Sequence, residues 1–214
     1  MKRITVLFAV IMALWCSATD RFYISGFAIS PGETRTVSIL LDNEMAYTAF
    51  QCDLYMPEGL TVEQEDGDYI FDLTSRKGRD HNIASQVQVD GPIRVMSYSP
   101  SIKAYSGNDG ALVNFNVTAS RDFTGHATIQ LKNILFTTTA GSEVAFGDEE
   151  CTVGLLGDVN DDGVLSISDV TILINYVLGG NSGTINLTNA DMNRDGNYDI
   201  SDVTTLISRV LKNN

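Results

Sequence analysis

Residues 20–155 contain short runs in which apolar and polar residues alternate. Alternation with period two is typical of half-buried β-strands, because successive side chains of a strand point to opposite faces of the sheet. Clusters of Gly, Pro, Asn and Asp separate the runs and indicate turns. The apolar positions with this spacing include Val37, Ile39 and Leu41; Phe50, Cys52, Leu54 and Met56; Val113, Phe115 and Val117; and Ala127, Ile129 and Leu131. The pattern predicts about eight or nine short strands that form an all-β sandwich with one hydrophobic core.

The spacing of apolar residues becomes helical in two later segments, 170–178 and 203–211. In the second segment, the apolar stripe consists of Val203, Leu206, Ile207, Val210 and Leu211. Apolar residues that recur every three or four positions predict an amphipathic helix. Neither helix could bury its stripe alone, so we expect the two helices to pack together around a small shared core.

Each predicted helix follows a copy of the same loop, which begins at Asp158 and again at Asp191. Both copies carry oxygen-bearing side chains at places 1, 3, 5, 9 and 12 and Gly at place 6, as calcium-binding loops do. The candidate ligands are Asp158, Asn160, Asp162, the carbonyl of Val164, Ser166 and Asp169 in the first loop, and Asp191, Asn193, Asp195, the carbonyl of Asn197, Asp199 and Asp202 in the second. An all-oxygen set suits a hard cation. The sequence therefore predicts two bound Ca²⁺ ions in two loop–helix repeats, residues 158–179 and 191–212.

These repeats differ from EF-hands, which have a helix before the loop and usually Glu at place 12. Gly157 and the polar segment 188–190 precede the two loops, so no helix is expected there, and place 12 is Asp in both copies. Residues 156–214 instead resemble a type I dockerin. The resemblance rests on the duplicated D-x-N-x-D-G opening, the closing Asp and the helix behind it.

The resemblance implies an all-α module that binds a cohesin domain of another protein, as in cellulosome-type complexes. In that family, recognition depends largely on the two residues before the closing Asp, which here are Ile167-Ser168 and Ile200-Ser201. Because the two pairs are identical, the resemblance implies binding in two orientations related by the internal symmetry. A basic pair that is common further along the helix is replaced by Ile174-Asn175 and Ile207-Ser208, which leaves the identity of the cohesin open.

Residues 20–155 are similar to the cohesin-like domains, whose jelly-roll sandwich resembles that of carbohydrate-binding modules. The similarity lies in the order of four features: a Pro-Gly-Glu turn at 31–33, the segment 49–60, the segment 110–117, and a last strand rich in Ile and Leu. The similarity implies a binding domain rather than an enzyme. This inference rests on analogy between folds and not on particular site residues.

The first 18 residues have the composition of a secretory signal peptide. Met1, Lys2 and Arg3 precede an apolar run at 4–15, and Ala18 provides a small residue for cleavage. The run is shorter than the roughly 20 residues that a membrane-spanning helix needs. We expect cleavage after Ala18 and a location outside the cell or at its surface, with lipidation of Cys16 as the alternative.

The chain is acidic, with a net charge of −13 that becomes −15 when Lys2 and Arg3 are removed with the signal. Much of the acidity in the last repeats serves ion binding, because the carboxylates there occupy calcium-ligand places. The remaining negative charge disfavours nucleic acids and anionic membranes as partners. No segment after the signal is long and apolar enough to predict a transmembrane helix.

Catalytic motifs are missing from the sequence: it has no nucleophile elbow, phosphate loop or zinc spacing. The acidic pairs Glu63/Glu65 and Glu149/Glu150 are expected to be solvated, and the histidines His81 and His126 to lie in exposed loops. We therefore expect no enzymatic activity.

Two further residue groups leave alternatives open. Tyr55, Tyr69, Tyr98 and Tyr105 are expected to be ordinary strand residues, with a sugar-stacking platform as the alternative. Cys52 has the inward parity of its strand and is expected to pack as a small hydrophobe, although export would permit a disulfide with Cys151.

Together these features predict a secreted, non-catalytic, calcium-binding protein whose dockerin joins it to an extracellular, polysaccharide-degrading complex. In one alternative, the sandwich is a carbohydrate-binding module that the dockerin delivers to the complex. In another, the sandwich receives other dockerins and the chain is a small adaptor scaffold. Only residues 154–157 connect the two modules, and flexible linkers are usually longer and polar. We therefore expect Leu155 and Leu156 to be buried and the modules to have a preferred relative orientation.

Overall fold

The computed structural model describes residues 20–89, 91–180 and 183–212. The predicted signal peptide and Cys16 lie outside these residues. The strands, numbered in chain order, are β1 (Arg21–Ile24), β2 (Phe27–Ile29), β3 (Thr34–Asp42), β4 (Tyr47–Tyr55), β5 (Leu60–Val62), β6 (Gln64–Glu65), β7 (Asp68–Tyr69), β8 (Asp72–Leu73), β9 (Asn82–Val87), β10 (Ile93–Tyr98), β11 (Ala111–Ala119), β12 (Ala127–Thr138), β13 (Glu143–Ala145) and β14 (Glu149–Leu155). The helices are α1 (Ile167–Val177), α2 (Leu187–Ala190) and α3 (Ile200–Lys212). None of the helices in the described part of the chain is long and apolar enough to cross a membrane.

The strands form two main sheets, one five-stranded and one seven-stranded. The first has the order β1-β3-β11-β5, with β8 also paired to β11, and the second has the order β2-β14-β12-β4-β10-β9, with β13 paired to β12. The pairs are antiparallel except β2–β14, which is parallel. A separate hairpin joins β6 to β7. The all-β sandwich prediction is confirmed, but there are more strands than expected, because strands of two or three residues are too short to show alternation.

The alternating apolar residues line the space between the two sheets. Phe22, Tyr47, Phe50 and Phe136 lie at its centre, with the ring centroids of Phe22 and Phe136 5.1 Å apart. Every predicted inward residue is buried except Met56, which follows the end of β4 and is half-buried against the core. The period-two pattern therefore identified the inner face of each long strand correctly.

Asp53 is an exception to the alternation, since it has the outward parity of β4 and is nonetheless buried. Its two carboxylate oxygens accept hydrogen bonds from Arg94 at 2.7 and 2.8 Å, and Asn133 donates a third at 2.8 Å. The bond to Arg94 holds the pKa of Asp53 below its usual value, with a further contribution from Asn133. This bidentate pair ties β4 to β10 on the outer face of the seven-stranded sheet.

The prediction for His81 is wrong, whereas that for His126 is confirmed, since His126 is exposed in a loop. His81 is only 8% exposed, and its ring stacks on Tyr105 with the centroids 4.2 Å apart. Burial lowers the pKa of His81. Tyr105 is itself buried and hydrogen-bonded to Ser97, so it does not contribute to a surface platform for sugars.

Both cysteines in the sandwich are free and buried. Burial raises the pKa of the Cys52 thiol, and it raises the pKa of Cys151 to about 12. Cys52 therefore packs as the small hydrophobe that its strand parity predicted, and neither thiol has the character of a nucleophile.

The helices α1 and α3 pack together, as predicted, around a small second core. This core contains Leu156, Val159, Val170, Leu173, Ala190, Met192, Val203, Leu206 and Val210. Leu211, expected on the buried stripe, is 71% exposed, because its neighbour Val210 takes the inward position at the end of α3. The one-turn helix α2 before the second loop was not expected from the sequence.

The two cores meet without a flexible linker. Leu155 is the last residue of β14, and the N–H of Leu156 donates to the carbonyl of Ile29 at 3.1 Å. Both leucines are buried, as predicted, and Ala28 of β2 belongs to the helical core. The helical module therefore rests directly on the β2–β14 edge of the sandwich, with α2 in contact with both strands.

Candidate metal loops and recognition residues

The first loop wraps its backbone N–H groups around two carboxylates. Asp158 accepts from the N–H of Asp162 at 3.0 Å and from that of Gly163 at 2.8 Å. Asp169, in the first turn of α1, accepts from the N–H of Val159 at 2.8 Å. Gly163 has a φ of 81°, which an L-residue adopts only with strain, so place 6 requires Gly. The loop thus brings places 1 and 12 together from opposite ends of the segment.

The second loop repeats the same bonds at the equivalent places. Asp191 accepts from Asp195 at 3.2 Å and from Gly196 at 3.0 Å, and Asp202 accepts from Met192 at 2.8 Å. Gly196 has a φ of 80°. Two copies with the same internal bonding show that the duplication in sequence is also a duplication in conformation.

Place 9 of each loop lies at the start of the following helix. Ser166 is the N-cap of α1, and its side chain accepts from the N–H of Ser168, while Asp169 bonds back to the N–H of Ser166 in a capping box. In the second loop, Asp199 accepts from the N–H of Ser201 at 2.7 Å. These caps hold the closing Asp of each loop in the first helical turn.

The electrostatics of the loops favour a cation. Asp158, Asp169 and Asp202 are almost fully buried, although no Lys or Arg side chain forms an ion pair with them in the described residues. Burial raises the pKa of Asp158, and the neighbouring carboxylates of Asp169 and Asp162 raise it further, against the N–H groups that lower it. Buried carboxylates need a compensating charge, and an all-oxygen set fits a hard divalent ion.

The four candidate recognition residues lie on the surface at equivalent places of the two repeats. Ile167 and Ile200 are the first residues of α1 and α3 and are 68% and 66% exposed. Ser168 and Ser201 follow them and are also exposed. Exposed isoleucines at the start of two symmetry-related helices are available for contact with another protein.

The sides of both loops contact the sandwich. Arg194, at place 4 of the second loop, forms an ion pair with Glu33 of the β2–β3 turn, with Nη2 2.6 Å from Oε1. Asp161, at place 4 of the first loop, lies with Oδ1 4.0 Å from Nδ1 of His126. The helix α2 packs against β2 and β14 between these two points. We call this contact region, formed by residues 28–33, 126, 154–161 and 186–194, the junction.

His126, Asp158 and Asp161 place possible metal-ligand atoms within 4.8 Å of one another. Asp161 Oδ1, however, already accepts from Nδ2 of Asn186 at 3.4 Å and from Nδ2 of Asn189 at 3.3 Å. Asp158 points its carboxylate into the first loop. The group is therefore part of the junction and not an additional metal site.

Comparison with known proteins gives a family match for the C-terminal module. Residues 156–211 match the dockerin type I domain family. Type I dockerins bind calcium in general. No curated protein matches the chain.

Solved structures with a similar fold cover the sandwich. The solution structure of CaCohA2 from Clostridium acetobutylicum is 13% identical with a TM-score of 0.52, and it covers 64% of this chain and 91% of its own. A chain of a type I cohesin–dockerin complex from Clostridium thermocellum, between Coh-OlpA and Doc918, is 12% identical with a TM-score of 0.51. The match covers 63% of the present chain and 99% of that chain. The sixth cohesin of scaffoldin B from Acetivibrio cellulolyticus, solved with a dockerin, is 13% identical with a TM-score of 0.50. This match also covers 63% of the present chain and 99% of the chain compared. The sandwich therefore has a cohesin-like fold.

Proposed function

We propose that this chain is a secreted, non-catalytic assembly protein whose dockerin binds a cohesin domain of another protein in a calcium-dependent manner. The observation that carries the proposal is the pair of equivalent loop–helix units. Each unit combines an oxygen-lined loop with an exposed Ile-Ser pair at the start of its helix. The match to type I dockerins and the cohesin-like fold of the sandwich support an assembly function.

In this proposal, each loop holds one Ca²⁺ ion. The ligands are Asp158, Asn160, Asp162, Val164, Ser166 and Asp169 in the first loop, and Asp191, Asn193, Asp195, Asn197, Asp199 and Asp202 in the second. The ion supplies the positive charge that the buried carboxylates lack. The caps at place 9 then carry the order of each loop into its helix, which positions Ile167-Ser168 and Ile200-Ser201 for the partner.

Assembly of an extracellular, polysaccharide-degrading complex is the setting that accommodates these parts. The predicted signal peptide supports export, and a dockerin supports attachment to a larger scaffold. Within such a complex, the chain contributes binding rather than catalysis.

The direct test is binding of the chain lacking residues 1–18 to a panel of type I cohesins, measured by calorimetry. We expect a complex of one chain with one cohesin in about 1 mM calcium and no complex in excess chelator. The reason is that the loops that present the recognition residues need the ion. Binding that persists in chelator would contradict the calcium mechanism. A chain that binds none of a broad panel would contradict the assignment of a cohesin partner.

A second candidate function is that of an adaptor, in which the sandwich itself receives dockerins. It is favoured by the outer face of the seven-stranded sheet, where the exposed residues Met96 and Tyr98 lie on β10 beside Ala84 of β9 and Gln51 of β4. A partly exposed, partly apolar sheet face suits a protein partner. If this function holds, immobilised chain captures isolated dockerins in calcium, and the substitution Met96→Glu weakens capture while Gln130→Glu, on β12, does not. Capture that is equal for both variants would place the contact elsewhere and remove this candidate.

A further inference from the structure

The junction contacts the calcium loops at places that lie between proposed ligands. Asp161 and Arg194, both at place 4, have left-handed φ values of 60° and 63° and are flanked by the ligands at places 3 and 5. Arg194 is held by Glu33, whose other oxygen accepts from the N–H of Ser30 at 2.8 Å. The backbone conformation at place 4 of each loop therefore affects both the adjacent proposed ion ligands and the contact with the sandwich.

Asn189 is a polar residue of the junction with an exposed fraction of 0%. Its side-chain Nδ2 donates to the backbone carbonyl of Asp158 at 2.8 Å, and its backbone carbonyl accepts from the N–H of Gly157 at 2.8 Å. The first bond holds Asp158, at place 1 of the first loop, and the second holds the preceding residue, Gly157. Asn189 belongs to α2, in the connection before the second loop, so it links the two repeats as well.

The same side chain rests on the sandwich. A Cβ atom at Gly154 of β14 would lie 1.9 Å from Asn189 Oδ1, so Asn189 occupies this position only because residue 154 is Gly. Gly154 does not have a positive φ, and its place in the strand is one that any L-residue adopts. The glycine is therefore required by the close approach of Asn189 and not by the backbone.

We propose that Asn189, seated on Gly154, is a positioning residue for the first calcium loop, so that docking on the sandwich and calcium binding stabilise each other. The proposal rests on the calcium sites of the proposed function. A loop already held in its ligand-ready conformation loses less freedom when the ion binds, so the docked module binds calcium more tightly than a free one. By linkage, the ion tightens docking by the same factor.

The arrangement leaves the recognition surface free. The junction uses the sides of the loops and α2, whereas Ile167 and Ile200 stay exposed at the helix starts. A cohesin and the chain's own sandwich therefore contact different faces of the dockerin. The sandwich in this scheme acts as an internal support that keeps the dockerin ready at lower calcium concentrations.

The test compares the full mature chain with Gly154→Val, which places a side chain against Asn189 without changing any loop residue. Gly147→Val is the matched control, because a Cβ at Gly147 has no atom within 4 Å. Calcium titrations by calorimetry are expected to give a dissociation constant about tenfold higher for Gly154→Val, within the usual range of coupling between sites, and an unchanged one for Gly147→Val. NMR relaxation in saturating calcium is expected to show independent tumbling of the two modules in Gly154→Val alone.

A second pair of variants probes the other end of the junction. Glu33→Gln keeps an acceptor for Ser30 but removes the charge opposite Arg194, and we expect a smaller loss of calcium affinity, about twofold, because this ion pair is partly exposed. Arg194→Gln is expected to give a similar loss, and the double variant no more than either one alone.

Each result decides the proposal. Independent tumbling of Gly154→Val together with an unchanged calcium affinity would disprove the coupling. Joint tumbling of Gly154→Val would show that the Asn189 contact does not hold the module, which overturns its role as a positioning residue. Unaltered melting of the sandwich in chelator verifies that the variant retains its β fold. A parent chain that binds no calcium would instead contradict the proposed function, and the two failures are distinguishable in the parent titration.

Discussion

Removal of calcium is expected to unfold the helices of residues 156–212 while the sandwich of residues 20–155 remains folded. The helical module has fewer than 60 residues and a small core, and a chain of that size has little stability of its own. Its loops also crowd carboxylates: Asp158, Asp161, Asp162 and Asp169 in the first, and Asp191, Asp195, Asp199 and Asp202 in the second. Without an ion these groups repel one another, and with it they form its ligand shell.

The size of the effect follows from mass action. A site with a dissociation constant on the order of 1 μM in about 1 mM calcium adds roughly 4 kcal/mol to the free energy of unfolding. That amount approaches the whole stability of a small domain. The sandwich has its own larger core and none of the proposed calcium ligands, so its stability does not depend on the ion in this way.

Circular dichroism measures this difference directly. Excess chelator is expected to abolish the helical signal, preserve the β signal and release a bound cohesin. The double variant Asp158→Ala/Asp191→Ala is expected to behave in the same way in saturating calcium. The control Glu58→Ala/Glu65→Ala removes the same charge from exposed positions of the sandwich and is expected to retain its helices. Helices that survive in excess chelator would refute calcium-dependent folding of the module.

Loss of both recognition pairs is expected to abolish cohesin binding, whereas loss of either pair is expected to leave it nearly intact. The variants replace Ile167-Ser168, Ile200-Ser201 or both with Glu-Arg. The two pairs are equally exposed at equivalent places, so either helix start can face the partner when the other is blocked. A single replacement then costs about a factor of two, the statistical weight of one of two equivalent states.

Calorimetry with a cohesin that binds the parent chain gives the result for each variant. Leu178→Lys and Leu211→Lys are matched controls, because both leucines are exposed, occupy equivalent places of the two repeats and lie at the far ends of the helices. We expect parent-like affinity for these controls. If one single replacement already eliminates binding, the module has one binding face and the symmetric mechanism is incorrect.

Local chemistry explains why the loop–helix repeats were predictable. The turn at place 6, the cap at place 9 and the closing Asp in the first helical turn all depend on residues within one short segment. The structure accordingly places Gly163 at the sharp turn and Asp169 in the first helical turn, as expected, and it shows in addition that Ser166 is the N-cap of α1. The inner faces of β3, β4 and β11 were predictable for a similar reason, since the parity of a strand is a property of the strand alone.

Contacts between residues far apart in the chain were not predictable in this way. Asp53 is buried because Arg94 and Asn133 reach it, and His81 is buried because Tyr105 covers its ring. Nothing adjacent to either residue in sequence indicates these partners. Leu211 is exposed because the approach of α1 to α3 favours Val210 at the inward position, and a helical stripe does not specify its own edges.

The junction contains both kinds of feature, those that the sequence predicted and those that depend on distant contacts. The short, leucine-containing connection predicted that the modules would meet, and Leu155 and Leu156 are buried as expected. The amino-acid sequence by itself thus determined the alternating strands, the two oxygen-lined loops with their helices and the absence of a flexible linker. Only the tertiary structure decided that Asn189 would lie against Gly154 and Arg194 against Glu33, because such contacts arise from the packing of whole elements and leave no periodic signal in the chain.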